Sequence, residues 1–164
     1  MNEISVDEFQ GLDNDNPFMK YDFLWSLESS GCASDAFGWT PNHLIEKNEQ
    51  GHITCFTPAY LKYNSFGEYI FDHAWVDFYN KVNIKYFPKL LVAIPFTPIR
   101  SCKFLTKSNV ANGKEKSIKA IKSLLSKYDI SSAHVNFIED PEIGILQDNN
   151  FIKRNSKQFI WDNR

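Results

Sequence analysis

Hydrophobic and polar positions change their period several times along the chain, and each change marks a boundary between elements. Residues 16–31 open with Asn16-Pro17, a capping residue followed by a proline suited to the first helical position. Phe18, Phe23, Leu24 and Leu27 then give one apolar side, and Gly31 predicts the end of that helix. Residues 43–47 and 52–63 flank Asn48-Glu49-Gln50-Gly51, a turn of the length that joins hairpin strands. Pro58 cannot donate to a ladder, so its place in the second strand predicts an edge position or a bulge. Residues 90–96 are apolar at consecutive positions, as a strand covered on both faces requires, and the run stops at Pro95 and Pro98. Residues 114–128 predict an amphipathic helix with Ile118, Ile121, Leu124, Leu125 and Tyr128 on one face and the lysines largely elsewhere. A strand at 132–138 follows, then a short helix opened by Asp140-Pro141 and ending near Asn149-Asn150, then one or two strands within 151–161. This order predicts an α/β (α+β) domain with a mixed, mostly antiparallel central sheet flanked by helices. In it, residues 90–94 form an interior strand beside 132–138, with the helix 114–128 over one face.

Residues 65–98 break the ordinary balance of such a domain. Phe66, Tyr69, Phe71, Trp75, Phe78, Tyr79, Tyr86, Phe87 and Phe96 crowd around Asp72, His73 and Asp77. Buried tyrosine and tryptophan need partners for their polar ends, and carboxylates set among apolar groups need compensation or water. Two readings are open: an aromatic core beneath a loop, or a groove that holds an acyl chain, a sugar or a peptide. Asp72 and His73 are the candidates for acid–base work, since a carboxylate or imidazole can take a proton from an attacking amine. Read as an extended segment, the two would point to opposite sides. Tyr69, Trp75 and Asp77, with Tyr60 upstream, are the candidates for a substrate-binding wall around Asp72; the alternative is a buried Asp72 carboxylate paired with a tyrosine hydroxyl or a lysine.

Composition narrows the class. At 164 residues, 43% hydrophobic and 23% charged, the chain suits one globular domain with a real core. It has no apolar run long enough to span a bilayer, and an acidic, polar start, so the expectation is a cytoplasmic protein. Three cysteines, widely spaced and with no CxxC pair, predict reduced thiols and no metal site. The net charge of −2 divides unevenly. Residues 1–99 carry 6 Lys and Arg against 13 Asp and Glu, while residues 100–164 carry 12 against 7. The basic portion could meet an anion or be a solvated lysine-rich helix face; nucleic acid is not an expected partner. HExxH, GxSxG and GxxxxGK[ST] patterns do not occur, which removes metalloprotease, serine hydrolase and P-loop readings.

The segments SFGEYIFDHAWVDFY and YFPKLLVAIPFTPI also carry a resemblance, as do residues 16–44, TPAYLKYNSFGEY and the terminal QFIWDNR. In that order they resemble the FemAB-like family of predicted N-acyltransferases of peptidoglycan biosynthesis or recognition. The resemblance implies a GNAT-like fold and transfer of an acyl or aminoacyl group to an amine of a cell-envelope precursor. Family members are longer, so the chain resembles an N-terminal half, and a second GNAT-like half or self-association is the implied partner. The alternative is a non-catalytic binding or scaffolding half. By the same likeness the end of the 90–96 strand, with Ile94, Phe96, Thr97 and Arg100, is where an acyl-CoA or aminoacyl donor would sit. GNAT enzymes follow that strand with a Q/R-x-x-G-x-G/A loop whose backbone N–H groups cradle pyrophosphate. Here the loop reads PIRSCKFLTKSNVANGK, with no glycine between Arg100 and Gly113, so donor binding by this half is expected to be weak.

Overall fold

The structure is a computed structural model that describes residues 1, 3–12, 15–159 and 161–163. Five helices are described, α1 (Val6–Phe9), α2 (Tyr21–Ser29), α3 (His73–Lys81), α4 (Gly113–Lys127) and α5 (Asp140–Asp148), with 3-10 turns at Pro17–Met19 and Asp35–Phe37. Seven strands accompany them: β1 (Trp39–Pro41), β2 (Leu44–Lys47), β3 (Ile53–Thr57), β4 (Ala59–Lys62), β5 (Lys89–Val92), β6 (Leu105–Thr106) and β7 (Ala133–Val135). They form a four-stranded sheet ordered β1-β4-β5-β7 and a three-stranded sheet ordered β2-β3-β6. Every pairing is antiparallel except β5 with β7, so two mostly antiparallel sheets flanked by helices make a mixed α/β architecture consistent with a GNAT-like α+β fold.

The interior strand is where the sequence puts it. Leu90 and Val92 turn to one face with Ala59, where Ile118 and Ile121 of α4 and Leu146 of α5 cover them, and Leu91 turns to the other with Trp39 and Tyr60. All four residues of β5 are buried, which is the reason for the unbroken apolar run. A third cluster, including Phe9, Leu12, Met19 and Leu24, packs on Phe56 and Leu105 of the smaller sheet.

Four expectations need correction. Residues 52–63 do not form one strand: the chain breaks at Pro58 and supplies β3 to one sheet and β4 to the other, a sharper consequence of the missing donor than a bulge. The apolar run 90–96 leaves the ladder after Val92, and Phe96 takes a left-handed φ of 57°. The helix expected from Asn16 starts as a 3-10 turn, with Asn16 Oδ1 accepting from the Phe18 N–H, and becomes α-helical at Tyr21. Residues 151–159 and 161–163 contain no strand; Ile160 lies outside the described residues. Lys153, Arg154, Asn155, Ser156 and Lys157 are exposed, and the segment is held by side chains instead, with Arg154 over the Trp75 ring at 5.0 Å.

Candidate recognition site

The site begins with an awkward pairing. Lys62 of β4 and Lys89 of β5 stand directly opposite each other, with Trp39 opposite Lys62 on the other side. Directly opposed residues share a face of the sheet, and like charges there repel. Both lysine side chains are fully buried, so water does not relieve them. They lie on the face of Tyr60 and Leu91, opposite the one that α4 and α5 cover.

The loop of residues 63–72 closes over that face as a strap. The Phe66 carbonyl accepts from Lys62 Nζ at 3.1 Å and from the Trp39 indole at 3.1 Å, and Lys62 Nζ sits 3.7 Å above the Trp39 ring. Asp72 Oδ2 accepts from Lys89 Nζ at 2.7 Å, from the Tyr86 hydroxyl at 2.7 Å and from Ser65 Oγ at 3.0 Å. Glu68 Oε2 lies 2.9 Å from Lys89 Nζ, yet neither Glu68 oxygen has an aligned hydrogen bond, and Asp72 Oδ1 has none either. Gly67 is the joint that lets the strap lie this close: at φ 76°, an added Cβ would fall 2.5 Å from the Phe96 ring.

Burial pushes the Asp72 carboxyl up, but hydrogen bonds from Lys89, Tyr86 and Ser65 outweigh it and hold the group down at about 2. Burial drives Lys62 down to about 8 against the pull of Glu68, and burial raises Glu68 against the pull of Lys89. Asp72 itself also begins α3. Its carbonyl accepts from the Trp75 and Val76 N–H groups, while its side chain turns inward to the lysine and caps nothing.

The outer side of this assembly is aromatic. Phe66, Tyr69, Phe71, Trp75 and Phe78 are 45–88% exposed, while Glu68 and Asp72 are 3% and 1% exposed. The strap therefore turns Glu68 and Asp72 inward and its rings outward, the reverse of an ordinary surface loop. No residue of α3 is buried, and Tyr79 joins it to the body through an edge contact with Tyr86 at 5.2 Å. The rings form an open face: cavities of about 160 and 490 Å³ lie instead along β2, the start of α4 and the loop before it, and include no residue of this segment.

The sequence-predicted residues scatter around this arrangement. Asp72 and His73 do not meet: one is buried at the helix start, the other exposed in its first turn. The reason is the helix, not the extended backbone expected. Tyr69, at φ 55°, Trp75 and Asp77 are exposed on the aromatic side, while Tyr60 is sealed in the core with its hydroxyl on Glu28 Oε1 at 3.1 Å. His43 Nδ1 accepts from the Ala59 N–H, so its Nε2 donates to the same Glu28 oxygen at 2.7 Å. Of the donor-site candidates, Ile94 is buried and Phe96 covers Trp39 at 5.2 Å. Thr97 Oγ1 turns back to the Pro95 carbonyl, and Arg100 is engaged with Asp140 at 2.7 Å and the Ile138 carbonyl at 3.1 Å. Lys62, Glu68, Lys89 and Ser65 were not anticipated, because nothing local announces the register that opposes the two lysines. Helix α3 did leave a signal: Trp75, Phe78, Tyr79 and Val82 stand at i, i+3, i+4 and i+7.

Among the described residues, no group of three or more His, Cys, Asp or Glu is placed to share a metal ion, and no helix is long and apolar enough to cross a membrane. Cys32, Cys55 and Cys102 are free. Comparisons with curated proteins and with solved structures found no match. The sequence model of the FemAB-like family, described as peptidoglycan biosynthesis/recognition, matches residues 1–164, and the chain belongs to that family.

Proposed function

We propose that this chain is the acceptor-recognition part of an N-acyltransferase system: a GNAT-like domain that holds a peptidoglycan-type precursor while an acyl or aminoacyl group is transferred to one of its amines. The observation that carries this reading is the inverted strap, rings outward and carboxylates inward, continued by a helix with no buried residue. Exposed aromatic faces of this density cost hydrophobic free energy in an isolated domain and mark binding surfaces. Rings suit a sugar–peptide acceptor, because they offer apolar area to the faces of pyranoses and to peptide methyl groups. The buried ion cluster serves this surface by fixing the strap and the start of α3.

In this reading Tyr69 and Trp75 contact the acceptor, with Asp77 beside them, and Asp72 is a positioning residue. A general-base role for Asp72 fits poorly with a carboxyl held at about 2 and engaged by three donors. His73 is exposed at the start of the same helix and is the group of the pair able to reach the amine of a bound acceptor. The donor and its activation belong to a second GNAT-like half or to a partner, since the segment after β5 lacks the small residues of a pyrophosphate cradle. The reading assigns the protein to the cytoplasm, where soluble precursors are found. Co-sedimentation with insoluble peptidoglycan is the test. The wild-type chain is expected to sediment with it and Trp75→Ala to remain in solution; equal sedimentation of the two would overturn the role given to the aromatic face.

A further inference from the structure

We propose that Lys62 and Lys89 form a carboxylate-binding site that Glu68 of the strap occupies in this structure, and that the carboxylate of a peptide-type ligand takes the place of Glu68. The inference rests on the recognition reading above and deepens it by naming the ligand's chemistry.

Two lysines opposed on one face of a sheet and wholly removed from water are a poor way to build a core, where apolar side chains of the same volume serve as well. The pair makes sense as a receptor for negative charge. Its two carboxylates are held very differently. Asp72 is fixed by three hydrogen bonds to Oδ2. Glu68 has one close partner, Lys89 Nζ at 2.9 Å from Oε2 and poorly aligned, and its Oε1 has none. With one poorly aligned contact against three good ones, Glu68 is the exchangeable carboxylate of the two. Its two chain neighbours, Gly67 and Tyr69, both have left-handed φ, 76° and 55°, so Glu68 is carried on a sharp turn. The residues carried out with it, Phe66, Tyr69 and Phe71, are those already facing solvent.

Charge balance selects a carboxylate over a phosphate. Two lysines facing Asp72 and one further monoanion give a neutral buried cluster, whereas a phosphate dianion would leave an excess negative charge there, which is costly away from water. A peptide carboxylate brings its chain to the aromatic rim, where Tyr69 and Phe71 cover it.

The test is calorimetric titration of the full chain with N-acetyl-alanyl-alanine as the free acid and as its C-terminal amide. Glu68→Gln removes the competing charge and keeps the side-chain shape. It is expected to bind the acid at least ten-fold more tightly than wild type does, and at least ten-fold more tightly than it binds the amide. The acid, and not the amide, should raise the melting temperature of that variant. Lys62→Met should abolish the preference; if that variant does not fold, the Glu68→Gln comparison decides alone. Equal binding of acid and amide by Glu68→Gln, or equal acid binding by wild type and Glu68→Gln, overturns the site. If the amide binds and Trp75→Ala weakens it while no acid preference exists, the recognition surface stands and the carboxylate site falls. Binding of neither probe to any form removes both.

Discussion

At the scale of single residues, Asp72 is the keystone of the strap, and its replacement should be felt as stability. Asp72→Asn leaves Lys89 with a weakened partner in a buried setting, a change that costs about 3–5 kcal/mol when a buried ion pair is broken. A fall of that size in the unfolding free energy from chemical denaturation is expected. A loss below about 1 kcal/mol would mean that the cluster does not hold the strap. Acid should act in two windows. His134 packs edge-on against Tyr86, and burial, with the charge of Lys89, lowers it to about 4 from 6.5. Its folded pKa lies below the unfolded one, so it contributes stability that is complete above about pH 6.5 and declines as the unfolded chain takes up the proton between 6.5 and about 4. Asp72 adds a second loss as pH falls from its ordinary 3.8 through about 2. His134→Phe should reduce the slope of melting temperature between pH 6.5 and 4, the remainder coming from His43, which burial also lowers, and leave the lower window in place. An unchanged slope in that variant would contradict the assignment. The sequence showed that Asp72 needed compensation, and a tyrosine hydroxyl or a lysine was one of the two open readings, but it did not show which ones. Lys89 is 17 positions away, and the register that brings it in is a property of the sheet.

At the scale of elements, periodicity found what the core demands and missed what the surface demands. Helix α4, strand β5 and its neighbour β7 were legible because burial on defined faces writes itself into the spacing of apolar residues. Helix α3 carries rings at helical spacing with His73, Asp77, Asn80 and Lys81 on the opposite face, but its aromatic and β-branched residues also suit extended backbone, and that density masks the helical period. The strands expected within residues 151–161 failed for the converse reason: Phe159 and Trp161 have strand-like character, but the polar run before them pairs with none of the sheet edges, and both rings are exposed. With no buried residue and one aromatic joint to the body, α3 should open more easily than its neighbours. Hydrogen exchange at residues 76–81 is expected to be at least a hundred-fold faster than at residues 118–124 of α4. Comparable protection would mean that α3 is packed on something more than Tyr86.

At the scale of the whole molecule, one face of the larger sheet is finished by α4 and α5 and the other by a strap whose aromatic side is bare. A protein with such a surface is expected to self-associate weakly at high concentration, and Phe71→Lys should reduce that association in light scattering across a dilution series. The donor side should be feeble by comparison: acetyl-CoA is expected to bind the chain with a dissociation constant of about 0.1 mM or weaker. Low-micromolar binding in calorimetric titration would show that the glycine-poor loop cradles pyrophosphate after all. The central claim is that the bare aromatic face is a recognition surface rather than a misfit of the fold. Its most direct test is titration of a soluble disaccharide–peptide fragment of peptidoglycan against the wild-type chain and the Phe71→Ala/Trp75→Ala double variant, with melting temperatures measured on the same samples. Both rings are solvent-exposed, so the account predicts at least ten-fold weaker binding by the double variant at a stability within about 1 kcal/mol of wild type. Undiminished binding, or a large loss of stability with no binding by wild type, would contradict it.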